Sequence, residues 1–235
     1  MKKLKVISCC VVIVSLIIGV IYLFKKEDYS YYLIMGDYVS NSQVLGEKEV
    51  TSFSSLLGDF LLENKKVNEV NNGYLKNNMT SKSLLEMIEK DSYKTDNTSL
   101  TKLIKDSKYI TITLGINDVI KQVKYDTFND QLMYDKDIIS NKIEVFKHNY
   151  HQILEEIKEL NDRAVVLLVG CYSVYGDNSL SLMINEAIEE VSEGYAVYVD
   201  VGDLDRYLYH SNELYLTDMG QEHIYKKVVE CIGNS

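Results

Sequence analysis

From residue 31 onward, short apolar runs alternate with stretches of helical periodicity. Tyr31-Tyr32-Leu33-Ile34-Met35 runs into Gly36, Tyr109 to Leu114 into Gly115, and Ala164 to Val169 into Gly170; Tyr195 to Val201 makes a fourth run. Each is β-branched or aromatic and nearly continuous in hydrophobicity, the pattern of a strand covered on both faces. A weaker strand is expected around Lys66 to Val70. Between these runs, Ile143, Phe146, Tyr150, Ile153, Ile157 and Leu160 are spaced by three and four residues and fall on one helical face. Leu84, Leu85 and Ile88 mark a second helix, with Thr80 or Ser81 as its N-cap. Ile184, Ile188 and Val191 mark a third, and a final helix is expected from about Asp218 to Cys231. Strands and helices in alternation predict a three-layer α/β/α domain on a five-stranded parallel sheet, flavodoxin-like in plan. Residues 120–140 are the least regular stretch and predict a surface excursion.

The pattern before residue 27 is different. Residues 6–24 (VISCCVVIVSLIIGVIYLF) form an uncharged apolar run, flanked by Lys2, Lys3 and Lys5 and by Lys25 and Lys26. As a helix it would span roughly 28 Å, close to a bilayer core. No Ala occurs before Ala164, so the small-residue cleavage site of a signal peptide is missing. Ser8-Cys9 lies at the start of the apolar run rather than after it, which argues against lipoprotein processing. The expectation is a retained single-pass anchor in residues 1–26 and one α/β domain in 27–235. The Lys bias places the body outside the cytoplasm.

Charge sharpens this division. Of 25 Lys and Arg, five fall in residues 1–26, where none of the 35 acids lies, so residues 27–235 carry a formal charge of −15. So acidic a body excludes nucleic acid as its main partner. Four Cys in 235 residues do not make a disulfide scaffold. Cys9 and Cys10 read as small apolar residues of the span, while a Cys171–Cys231 pair outside the cell stays open. The chain has no Pro, so its loops are not stiffened by it.

An open α/β sheet binds ligands in the loops after the carboxyl ends of its strands. Three such loops carry a resemblance to the SGNH, or GDSL, hydrolase family. Met35-Gly36-Asp37-Tyr38-Val39-Ser40 sits where that family has Gly-Asp-Ser-Leu, and Gly115-Ile116-Asn117-Asp118 fits its Gly-x-Asn-Asp block in full. Asn212 to Gly220 has the spacing of its Asp-x-x-His block and following Gly, and the stretch VVLLVGCYSVYG ending at Gly176 resembles its fourth-strand region. The resemblance implies ester cleavage by a Ser nucleophile, a His base and an Asp that orients the His, with an oxyanion site of backbone N–H groups and an Asn. No metal or cofactor is implied. Carried over by position, the nucleophile falls on Tyr38, the base on Tyr215 and the orienting acid on Asn212. The oxyanion-type positions are Asn117, which matches, and Asn78, where the family has Gly. Gly36, Asp37, Gly115 and Asn117 remain as a candidate binding set.

The three exchanges remove the chemistry. A phenol with a pKa near 10 does not act as a base at neutral pH as imidazole does, and a neutral Asn cannot stabilise an imidazolium. The sequence therefore points to a pseudo-hydrolase holding a small ligand, glycan, peptide or protein at its cleft. The alternative is an acyl hydrolase acting on envelope or lipid esters through Ser40 or Ser42 with His210 and Asp203 or Asp205. The plainer reading makes Ser40 and Ser42 loop and cap residues and His210 a solvated side chain. His148, His151 and His223 read as helix-surface residues, and no metal is expected. Asn117 can bridge loops or face a ligand; Asp37 is expected to bond backbone amides at the strand end, and Asp118 to cap the short helix that follows. The 19 Tyr suit core filling, glycan stacking or an interface.

Overall fold

The computed structural model describes residues 30–45, 48–91, 98–126, 128–129, 131–173, 178–204, 207 and 215–233. Residues Met1–Ser30 and Tyr31–Ser235 form separate units, and the fold below is that of the second. The proposed anchor at 6–24, with Cys9 and Cys10, lies outside the described residues. Among those described, no helix is long and apolar enough to cross a membrane.

Five parallel strands make the main sheet: β1 (Tyr31–Gly36), β4 (Glu69–Leu75), β5 (Ser107–Thr113), β8 (Val165–Val169) and β9 (Val197–Val199). Their order is β4-β1-β5-β8-β9, so the chain steps out from β1 to one edge, returns across it and winds to the other. The central strands lack polar alternation because both faces are covered. Leu33, Met35, Ile110, Ile112, Val166 and Leu168 enter one core layer, while Tyr32, Ile34, Tyr109, Leu167 and Val169 enter the other. The first layer is closed by α2 (Ser81–Glu89), α3 (Leu100–Asp106), α5 (Lys136–Leu160) and α6 (Asn178–Ser192). The second is closed by α1 (Phe53–Glu63) and α7 (Asp218–Gly233).

Most helix starts follow local capping chemistry. The Thr80 hydroxyl accepts from Ser83 N while the Ser83 hydroxyl accepts from Thr80 N, a capping box. Asp135 caps the long α5 by accepting from the backbone N–H groups of Asp137 and Ile138. At the far end of α5, Asn161 Nδ2 donates to the carbonyls of Ile104, Lys105 and Ser107, tying the helix to the start of β5.

Two expectations shift. The weak strand at Lys66–Val70 is displaced to Glu69–Leu75, because pairing with β1 aligns Tyr31 with Glu69 and Gly36 with Leu75. The irregular stretch at 120–140 contains an antiparallel hairpin, β6 (Lys124–Asp126) with β7 (Gln131–Met133). A second small hairpin, β2 (Gln43–Leu45) with β3 (Lys48–Val50), follows the first sheet loop. A four-residue helix, α4 (Ile116–Val119), follows β5.

Candidate functional site

The carboxyl ends of β1 and β5 are locked together at Gly36. Its φ is +127°, and an added Cβ would lie 2.2 Å from the Thr113 carbonyl oxygen, so backbone meets backbone there. The next residue, Asp37, donates its N–H to both the Thr113 carbonyl (3.0 Å) and the Thr113 hydroxyl (3.2 Å). Its carboxylate accepts from Val39 N at 3.1 Å and caps the single 3₁₀ turn Tyr38–Ser40, as expected of a residue bonding amides at a strand end. Asp37 is 2% exposed. Burial pushes its pKa up to about 7, against the lowering effects of Val39 N–H and Thr113; the Asp118 charge raises it further.

That turn sets Tyr38, at the nucleophile position, on the half-buried rim. Its ring meets Tyr215, at the base position, edge to face, with centroids 5.6 Å apart and planes at 84°. The two rings are thus in direct contact. Burial raises the Tyr38 pKa, and the Asp37 charge adds to it; a side-chain hydrogen bond links Tyr38 to Tyr172. Tyr38 therefore remains a neutral phenol at neutral pH, a poor nucleophile. Asn212, at the acid position, lies outside the described residues, as do Asp205 and His210.

The loops that carry the oxyanion-type positions meet at Asn77. Asn117 Nδ2 donates to the Asn77 carbonyl at 3.2 Å, joining the loop after β5 to the turn that carries the exposed Asn78. From Asn77 the rim continues to Asn41, whose Nδ2 donates to Asn77 Oδ1 at 3.4 Å and whose backbone N–H donates to the Tyr38 carbonyl at 3.1 Å. Gly115 positions this loop. Its φ is +130°, and a Cβ there would stand 2.5 Å from Ile184 Cγ2.

Asp118 departs from the expectation. It lies inside α4 and does not cap it; instead it caps α2 across the cleft wall. Its two carboxylate oxygens each stand 3.1 Å from Ser81 N, and Oδ1 accepts from the Ser81 hydroxyl at 2.6 Å. Burial raises its pKa despite these bonds.

The replacement nucleophiles are occupied by structure. Ser40 is buried, with its Oγ 3.0 Å from the Thr113 hydroxyl. Ser42 Oγ accepts from Ser52 N at 3.2 Å and lies beside Ser55. Among the described residues His223 Nε2 on α7 has no hydrogen-bond partner; it stands 3.2 Å from Asp203 Oδ2, and the ring lies against Tyr207 at 5.4 Å. His148 and His151 lie on α5, and His151 Nδ1 is 3.4 Å from Glu155. Among the described residues no cluster of His, Cys, Asp and Glu has the makings of a metal site. Cys171 and Cys231 are both free thiols, so they do not pair.

Sequence reasoning missed three contributors. Thr113 binds both Asp37 and Ser40 and is the hub of the first loop; its signal was a hydroxyl at the end of an apolar strand. Asn185 on α6 takes the Cys171 backbone in both directions, accepting from its N–H at 2.7 Å and donating to its carbonyl at 2.8 Å. An Asn within an apolar helical face was its signal. Tyr172, buried in the loop after β8, backs the Tyr38 phenol.

Strand order, the placement of the loops at the carboxyl ends and the rim geometry define an open, doubly wound α/β protein with its cleft at the first and third strands. More narrowly, the body has the SGNH-hydrolase fold. It is similar to a lipase from a goat rumen metagenome at 17% identity and a TM-score of 0.65, covering 86% of this chain and 96% of that one. It is similar to a mutant acetyl-xylooligosaccharide esterase from Geobacillus at 15% identity and a TM-score of 0.62, covering 87% and 94%. A GDSL-like lipase from Parabacteroides merdae matches at 13% identity and a TM-score of 0.61, covering 88% and 96%. No protein-family profile and no curated protein sequence matches the chain.

Proposed function

We propose that the chain is a pseudo-hydrolase: an SGNH-type domain that binds a ligand or partner at its cleft without cleaving esters, held at the cell surface by an N-terminal anchor in residues 1–26. The observation that carries this reading is the Tyr38–Tyr215 contact, which sets two phenol rings against each other where the resemblance has a nucleophile and its base. The occupied hydroxyls of Ser40 and Ser42 support it. In well-studied triads, loss of a single member leaves only about 10³–10⁴-fold acceleration over water, from binding and the oxyanion site. Here the residues at all three positions differ in kind. The anchor reading is supported by the apolar, Lys-flanked pattern of residues 6–24.

The test compares short-chain aryl ester hydrolysis by the full chain in detergent with that by two variants. These are Asn117→Ala and the triple change Tyr38→Ser, Asn212→Asp, Tyr215→His. The expected result is background hydrolysis by the unmodified chain and a gain only in the triple change. Robust turnover by the unmodified chain, abolished by Asn117→Ala, would overturn the reading and favour an acyl hydrolase. The anchor is checked separately: the full chain should sediment with membranes and resist carbonate extraction, whereas a chain starting at residue 27 should not.

A further inference from the structure

The β6–β7 hairpin leads directly into α5, and the space it shares with the starts of α5 and α6 is an open cavity of about 660 Å³. Its walls include Lys124 on β6, Leu132 and Met133 on β7, Tyr134, Lys136 in the first turn of α5 and Ser179 in the first turn of α6. A 2.7 Å hydrogen bond between the Tyr134 and Ser179 hydroxyls ties the end of the hairpin to α6 across this space. None of these residues belongs to the cleft of Tyr38, Tyr215 and the Asn rim. A volume of this order is that of cavities which take small organic ligands.

Two properties of the walls narrow the ligand. The first is apolar surface at a point open to solvent. Met133 is 52% exposed, and it stands beside Leu132 and the Tyr134 ring. Its unbranched thioether adapts to apolar tails of varied shape. The second is charge. The hairpin register pairs Lys124 directly with Met133, so both side chains leave the same face of the ribbon and the ammonium stem lies beside the thioether. Lys136 supplies a second ammonium group. Asp135 also lines the cavity, but its carboxylate caps α5 by accepting from Asp137 N at 2.9 Å and Ile138 N at 3.2 Å. Two ammonium groups against one carboxylate leave one net positive charge here, in a body whose formal charge is −15. That body repels anions from most of its surface, so a locally positive apolar cavity is selective for them.

We propose that this cavity is a binding site for a small monoanionic amphiphile. The apolar tail lies against Leu132, Met133 and Tyr134, and the single anionic head lies between Lys124 and Lys136. The site does not depend on how the cleft is read.

Octanoate is the probe, with octylammonium as the same tail carrying the opposite head. The full chain is labelled with carbon-13 at its seven Met methyl groups and held in neutral maltoside detergent at neutral pH. The Met133 signal is assigned by its loss in Met133→Leu. Octanoate should move that signal saturably while the signal of Met79, buried in the core, stays in place. Octylammonium should bind the unmodified chain roughly three- to tenfold more weakly, and so should octanoate the double variant Lys124→Gln, Lys136→Gln. Both lysines are exposed, and an unmoved Met79 signal in the double variant verifies that its fold is intact. No saturable movement of Met133, equal binding of the two probes, or unchanged octanoate binding by the double variant would overturn the proposal. No ester is used, so this outcome and that of the ester assay are independent.

Discussion

Gly115 offers the sharpest quantitative test of how the cleft is built. Its backbone lies at φ +130°, a region that side chains rarely adopt, and the position of a new Cβ is 2.5 Å from Ile184 Cγ2. Backbone strain of this kind costs about 1–3 kcal/mol, and forcing a methyl into a packed core adds about 1–3 kcal/mol. Gly115→Ala should therefore destabilise the domain by ~4 kcal/mol. For a domain of this size that lowers Tm by roughly 8–16 °C. The two contributions separate in a double-mutant cycle. Ile184 is fully buried, so Ile184→Ala alone should cost about 2–5 kcal/mol through the cavity it leaves. In the double variant the new Cβ of residue 115 no longer meets Cγ2, and the combined loss should fall short of the sum by about 1–3 kcal/mol. Urea denaturation followed by far-UV circular dichroism measures all four corners. Strict additivity would show that the methyl is accommodated elsewhere, and a Gly115→Ala protein as stable as the parent would refute the strain argument outright.

Two other predictions concern the buried carboxylates. Asp37 has its folded-state pKa near 7 and an ordinary value of 3.8 when unfolded, so the native state holds this proton more tightly. Below about pH 4 the group has no effect; between 4 and 7 stability falls as pH rises, by at most ~4 kcal/mol at 1.36 kcal/mol per pKa unit. Asp118 is raised too and acts in the same direction. Urea midpoints across that range should decline in the parent and decline much less in Asp37→Asn; an equal slope in both would remove Asp37 as the cause. Asp118→Ala should cost about 1–3 kcal/mol, because it strips the described acceptor from the Ser81 N–H and hydroxyl at the start of α2. A loss under about 0.5 kcal/mol in the same urea assay would mean that water replaces the carboxylate at no cost.

The central strands were legible because burial on both faces leaves an unmistakable apolar run: Tyr31 to Met35, Tyr109 to Thr113 and Val165 to Val169 read as strands from sequence and are strands. The edge strand β4 was misplaced because its sequence, Glu69-Val-Asn-Asn-Gly-Tyr-Leu75, is polar, and pairing with β1 rather than hydrophobicity fixes its bounds. In the site, Asn117 was legible as a loop bridge and Asp37 as an amide acceptor, because both act on backbone nearby in the fold. The partner of Asp118 was not legible: Ser81 lies 37 residues away, and an acid at the start of a short helix looks like that helix's own cap. The edge-to-face closure of Tyr38 on Tyr215 joins residues far apart in sequence, so it appears only once the sheet brings their loops together.

The direct run of β1 from Tyr31 to Gly36 has a consequence for how the domain is presented. The chain enters the sheet at its floor and reaches the cleft six residues later, a rise of ~20 Å. The last helix starts at the rim loop after Leu216 and returns towards the floor by Gly233, as parallel topology requires. Both ends of the domain therefore leave from the side opposite the mouth. A tether introduced on either end for immobilisation pulls on the base of the sheet and leaves Tyr38, Tyr215 and the Asn rim facing outward.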